Sequence, residues 1–176
     1  RRLNLFMSLF NEEETELEYN SEYSRARKRA MYLLGSRDYS SKALKEKLLN
    51  NYSNDTAERV IEDMKNYGFL NDEEYAKKLA SSLIRGKKYG ACRAKSEMRR
   101  KGVSELDAEE ALSEYEKEDY SDQLISLIEK KYGDRIEDRD DRRRTVAALA
   151  RRGYGYSEIK DAILTVLRRW ADEEDE

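Results

Sequence analysis

Histidine and proline are absent from the 176 residues, and cysteine occurs once, at Cys92. Without histidine the chain lacks the commonest general base, the commonest metal ligand and the usual partner of a catalytic serine or cysteine, which excludes most hydrolytic mechanisms. A single cysteine can neither close an internal disulfide nor build a zinc site, and it fits a reducing cytoplasm. No Gly-x-x-x-x-Gly-Lys or Gly-x-Gly-x-x-Gly spacing occurs, so nucleotide binding has no motif behind it. The longest apolar stretch, residues 3–10, is interrupted by Asn4 and Ser8 and is far shorter than the roughly 20 residues of a membrane span. Arg1 and Arg2 ahead of it give a faint likeness to a signal peptide, but no small-residue cleavage site follows. The expectation is a soluble, cytoplasmic, monomeric chain with no membrane contact, no metal and no cofactor. The first residue is Arg1 rather than Met, which leaves room for preceding sequence.

Charged residues make up 41 % of the chain and the mean hydropathy is −1.04. Composition that polar can signal disorder, yet the Leu, Ile and Tyr residues fall into sharp stripes, so a folded protein with a thin core is expected. The charge is unevenly placed: residues 1–24 carry −4 and residues 172–176 carry −5, so a net charge of −3 hides a middle of +6. Such a middle suits an anionic partner, whereas the negative total weakens the case for indiscriminate coating of DNA.

Missing proline makes long helices easy, and the eight glycines punctuate the apolar-periodic segments rather than interrupting them. Stripes at i, i+3, i+4 and i+7 predict nine helices. Their markers are Ala26, Ala30 and Leu33; Ala43, Leu44 and Leu48 after Ser40 or Ser41; Ala57, Val60, Ile61 and Met64; Tyr75, Ala76, Leu79 and Leu83; Ala94 and Met98. The last four are Ala108, Ala111 and Leu112 after Ser104; Leu124, Ile125 and Ile128; Val146 and Leu149; and Ile159, Ile163, Val166 and Trp170. Asn71 with Glu74 reads as a capping box. The class is therefore all-α.

Internal repetition sharpens that reading. Tyr39, Tyr89 and Tyr154 are each preceded at five residues by Leu34, Ile84 and Leu149, and the first two copies keep matching through Ser53 with Ser104 and Ala57 with Ala108. Three copies of a three-helix unit are expected, packed serially into an elongated, curved body. The expected boundaries are an N-terminal extension at 1–21, repeats at 22–70, 71–133 and 134–170, and an acidic tail at 171–176. Residues 134–144, charged except for Ile136, read either as a solvated helix or as a joint between repeats, with the joint preferred.

Several motifs in succession resemble the RecX family of bacterial regulators of the RecA recombinase. They are Arg37-Asp38-Tyr39-Ser40 followed by Leu44 and Leu48; Gly68-Phe69-Leu70-Asn71-Asp72-Glu73-Glu74-Tyr75-Ala76; Tyr89-Gly90 with Arg93 and Arg100-Lys101-Gly102-Val103; and Arg151-Arg152-Gly153-Tyr154 leading to Ile159. Ala94 and Gly155 depart from the family's usual residues, which touches only local packing. The resemblance spans residues 22–170. It implies a non-enzymatic regulator, mostly an inhibitor, that lies in the groove of the RecA–DNA filament. It also implies effects on ATP hydrolysis, strand exchange and filament growth, with DNA met mainly through the filament and only weakly alone.

Candidate contact residues follow from the basic runs. Arg142, Arg143, Arg151 and Arg152 lead, because arginine offers bidentate contact to phosphate or carboxylate. Lys87, Lys88, Arg93, Arg99, Arg100 and Lys101 complete the set. The competing reading for each is a solvated helix face paired at i, i+4, and a helix C-terminus suffices to explain Arg99, Arg100 and Lys101. Among thirteen tyrosines, Tyr154 and Tyr156 are the candidates for base stacking, flanked by Gly153 and Gly155; junction tyrosines otherwise serve packing. Asp72, Glu73 and Glu74 read as first-turn residues rather than a metal site. A helical DNA-binding module without a recombinase partner is the alternative function. An enzyme finds no nucleophile and base to name.

Overall fold

The computed structural model describes residues 21–115 and 117–174. The N-terminal extension up to residue 20 and the last two residues of the acidic tail lie outside them. Nine α-helices follow one another among the described residues: α1 Glu22–Ser36, α2 Ser41–Leu49, α3 Asn54–Asn66, α4 Asp72–Ser81, α5 Ala91–Arg100, α6 Glu105–Ser113, α7 Lys117–Ile136, α8 Arg139–Arg151 and α9 Tyr156–Glu174. No strand occurs among the described residues. The helices fall into three groups of three, separated by short turns.

Helix starts are set by short polar side chains that satisfy the first free amides. Ser21 accepts from Ser24 N–H at 3.1 Å, Ser40 from Ala43 N–H at 3.2 Å, Asn71 from Glu74 N–H at 2.9 Å and Ser104 from Asp107 N–H at 3.0 Å. At the other ends, Gly68, Gly102 and Gly153 take the left-handed backbone that closes a helix, with φ of +73°, +83° and +91°.

The chain divides into two compact units. Of the described residues, the first comprises 21–75 together with Lys101–Val103. Ala26, Ala30 and Leu33 of α1, Leu44 and Leu48 of α2, and Val60, Ile61 and Met64 of α3 form its core. The buried Ser40 hydroxyl does two jobs there, capping α2 and donating to the Lys101 carbonyl at 2.9 Å. The carboxyl of Asp72 accepts from Ser41 N–H at 2.7 Å and pairs with Lys65 at 3.1 Å. Burial alone would raise its pKa, but the Ser41 bonds and Lys65 outweigh burial and hold the carboxyl below the ordinary value. Tyr23 donates its hydroxyl to Asp63. Desolvation of the phenol, with that bond and charge, pushes its pKa up to about 12.

Of the described residues, the second unit comprises Ala76–Arg100, 104–115 and 117–174. Its main core joins Leu124, Ile128 and Ile136 of α7, Leu149 of α8, and Ile159, Ile163 and Val166 of α9. Trp170 is half-buried and lies against Gly133, where an added Cβ would stand 3.2 Å from the indole.

Two expectations change here. Residues 134–144 are not a joint between repeats but a corner within one: α7 runs unbroken to Ile136, which is fully buried, and after Glu137 and Asp138 the chain enters α8 at Arg139. One apolar residue per turn at the right phase suffices to seat an otherwise charged helix end. The register of the third copy also shifts. Tyr39 and Tyr89 stand between the first and second helices of their groups, whereas Tyr154 stands between α8 and α9, the second and third. Its counterpart is Val103, since Gly102-Val103 and Gly153-Tyr154 both place a left-handed glycine before a buried apolar residue. A glycine stop followed by an apolar residue looks alike at any helix junction, which is why the sequence match slid by one helix.

Candidate partner-binding surface

The end of α4 departs from the other helices. Residues Ser82–Gly86 wind as a π-helical turn, in which Lys87 N–H reaches back five residues to the Ser82 carbonyl at 3.0 Å. Lys88 then takes a left-handed backbone with φ of +56°, and it is the one residue other than glycine that does so among the described residues. For an L-residue that conformation costs on the order of 1–2 kcal/mol.

Side chains from the 123–154 region hold this turn open. Arg152 donates to the Lys87 carbonyl at 2.8 Å and Tyr154 to the Lys88 carbonyl at 3.3 Å. The Gln123 amide donates to the Tyr154 hydroxyl at 2.7 Å and to the Tyr89 carbonyl at 3.5 Å. Gly90 N–H donates to the Arg152 carbonyl at 2.9 Å, and Arg93 returns a bond to the Arg151 carbonyl at 2.5 Å. The Arg93 guanidinium also lies over the Tyr89 ring, 4.7 Å from its centre, and the Lys87 ammonium stands 5.9 Å from the same ring.

These bonds sort the sequence candidates. Arg93 and Arg152 are half-buried and occupied with backbone carbonyls, while Lys87, Lys88 and Arg151 are exposed beside them. Tyr154 is 4 % exposed, so its ring is packed rather than open for stacking, and burial raises the pKa of its hydroxyl. Tyr156, two residues on, is 74 % exposed. Gln123, absent from the candidates, is a central member of the network, and nothing local in the sequence marks it.

Arg142 belongs to the corner between α7 and α8. Its guanidinium donates to the Ile136 carbonyl at 2.5 Å and the Glu137 carbonyl at 3.0 Å, closing the end of α7. Asp138 opens α8 by accepting from Asp140 N–H at 2.8 Å and Asp141 N–H at 2.9 Å. The backbone amides of Asp141 and then Asp140 hold its pKa low. Arg143 and Arg144 are exposed and line a shallow open hollow with Asp140 and Ala147, although Arg144 also pairs with Asp141 at 2.8 Å. Arg99 pairs with Glu105 at 3.1 Å and Arg100 with Glu97 at 2.6 Å; Lys101 is exposed in the first unit. No group of three metal-ligating side chains occurs among the described residues, and no helix there is long and apolar enough to cross a membrane.

Three family models match in succession: RecX, first three-helix domain, at 26–64; RecX, second three-helix domain, at 71–112; and RecX, third three-helix domain, at 118–163. Proteins named Regulatory protein RecX match across most of the chain. That of Clostridioides difficile is 30 % identical over 89 % of this chain and 76 % of its own length, and that of Pelodictyon phaeoclathratiforme is 32 % identical over 83 % and 91 %.

The chain belongs to the RecX family.

A crystal structure of RecX from Lactobacillus salivarius shares the fold, with a TM-score of 0.74 at 21 % identity over 82 % of this chain and 96 % of that one. A second crystal structure of regulatory protein RecX gives 0.69 at 17 % over 91 % and 85 %. The third RecX domain starts with α7, in keeping with an unbroken helix through residue 134. On this division the clamped turn at 87–90 belongs to the second RecX domain, and Gln123, Arg152 and Tyr154 to the third.

Proposed function

We propose that this chain regulates the RecA recombinase by binding in the groove of the RecA–DNA filament, mostly as an inhibitor of ATP hydrolysis, strand exchange and filament growth, and that it does so without catalysis of its own. The observation that carries the reading is the succession of three RecX domains along one chain, in relatives of which the name is regulatory protein. The arrangement of basic residues supports it. Lys87, Lys88, Arg143 and Arg151 are exposed cations of the second unit, with Arg144, Arg99 and Arg100 close to carboxylates and Tyr156 open to solvent. Exposed cations speed encounter with an anionic assembly and set register on it more than they add affinity. Lys101, exposed in the first unit, is a separate candidate.

DNA-dependent ATP hydrolysis by RecA, measured with increasing amounts of this chain, tests the reading. A falling rate and shorter filaments are expected; an unchanged rate and unchanged filament length at saturation reject it. In the competing reading as a DNA-binding module alone, the chain binds DNA tightly and with a steep salt dependence while leaving the recombinase untouched.

A further inference from the structure

Three helix ends place glycine in the left-handed position, and the end of α4 places Lys88 there instead. Glycine takes that backbone without strain, so the lysine is favoured by something other than folding. Its side chain is exposed. Arg85 and Lys87 are exposed in the same turn and Arg151 is exposed at the end of α8, while Glu97 and Glu158 are the carboxylates whose charge reaches Lys87 and the Tyr154 hydroxyl. We propose that Lys88 is a docking cation for a nucleic-acid phosphate, and that Tyr154, Arg152 and Gln123 are positioning residues that hold its turn in the left-handed form.

The clamp explains how the strain persists. The carbonyls of Lys87, Lys88 and Tyr89 accept in turn from Arg152, Tyr154 and Gln123, so the backbone beneath the ammonium is fixed before a partner arrives. Preorganisation of that kind lowers the ordering cost of binding. Phosphate fits the turn better than a protein surface does. Protein interfaces are depleted in lysine and are built on apolar anchors, whereas the large exposed hydrophobics of this unit are Leu106, Tyr156 and Leu164, none of them on residues 85–90. Lysine as an exposed point charge is a common contact to the nucleic-acid backbone. The inference deepens the filament reading, on which it rests for a biological setting.

The test uses naked single-stranded oligothymidine and the full chain, so that it fails or succeeds independently of any effect on the recombinase. Lys88→Gly relieves the backbone and deletes the charge. Its melting temperature is expected to equal or exceed that of the parent. Its affinity is expected to fall about 5-fold near ~0.1 M salt, with the salt slope of log affinity smaller by about 0.7, the share of one strand phosphate. Lys88→Asn, which also tolerates the left-handed backbone, should behave alike, and Lys88→Arg should keep the slope. Tyr154→Phe, which removes one hydroxyl and keeps the ring, should weaken binding with the slope unchanged. Equal affinity and slope for Lys88→Gly and the parent, or no measurable binding by the parent, overturns the phosphate contact. So does a loss confined to the recombinase filament with strand binding intact, which would point to protein carboxylates. Undiminished affinity in Tyr154→Phe overturns the clamp.

Discussion

Gly90 and Gly153 meet backbone against backbone: a Cβ on Gly90 would fall on the Gly153 carbonyl group, 2.6 Å from its carbon and 2.9 Å from the Tyr154 nitrogen. A Cβ on Gly153 would in turn stand 2.5 Å from both the backbone nitrogen and Cβ of Arg93. No flexible side chain is available to give way on either side. The turn after α4 and the turn after α8 are therefore locked at the one separation that permits the Arg152, Tyr154 and Gln123 bonds.

Gly90→Ala should destabilise the chain by about 2 kcal/mol or more, because the clash is with backbone. Gly35→Ala, in α1 with nothing within 4 Å of the new methyl, should stabilise by roughly 0.5–1 kcal/mol through helix propensity. Urea denaturation of both variants beside the parent checks the contrast, and equal midpoints for the two would refute it.

Thr145 is 2 % exposed on α8 and its hydroxyl has no hydrogen-bond partner. Leaving such a group buried costs about 1–3 kcal/mol. Thr145→Val keeps the shape and removes the unsatisfied oxygen, so a melting temperature equal to or above the parent's is expected; a clear drop would mean that the hydroxyl is satisfied in solution.

Arg142 and Arg143 are neighbours with opposite assignments. Arg142→Met leaves the Ile136 and Glu137 carbonyls without their donor and should cost about 1–3 kcal/mol. Arg143→Gln should change stability by less than about 0.5 kcal/mol and instead weaken the effect on recombinase ATP hydrolysis. Thermal melts and the hydrolysis assay on the pair separate the roles. The opposite pattern would exchange them.

Asp72 links folding to pH in a defined direction. Its folded pKa lies below the ordinary value through the Ser41 bonds and Lys65, against burial. The stability it contributes is therefore fully present above its unfolded pKa of about 3.9 and is lost as the pH falls through the folded value. Asp72→Asn should be less stable than the parent at neutral pH, with the gap narrowing below about pH 3.9. A gap that stayed constant down to pH 2, on the order of two units lower, would show that the carboxyl's charge is not what matters.

Much of the fold was legible because its signals are local. Ser40, Asn71 and Ser104 cap the helices they were expected to open, and the stripe of Val60, Ile61 and Met64 is buried as its spacing predicts. The errors share one cause. Ile136 seats a charged segment that composition marks as a joint, and Gly153-Tyr154 repeats a stop signal that does not say which helix pair it separates. The site was harder to read, because Arg93, Arg142 and Arg152 have the same side chain as Arg143 and Arg151. What distinguishes the first three is a backbone carbonyl to donate to, and for Arg93 and Arg152 it lies 58 and 65 residues away. No pattern of neighbouring residues encodes that distance.

The bend between α7 and α8 is specified by side chains no more than six residues from their partners, Arg142 closing one helix and Asp138 opening the next. A corner that needs no remote contact can form early and can outlast loosening of the helices around it. The angle between two rods of the third domain is thus written into residues 136–142, whereas α9 is seated by the apolar side chains that it shares with α7 and α8.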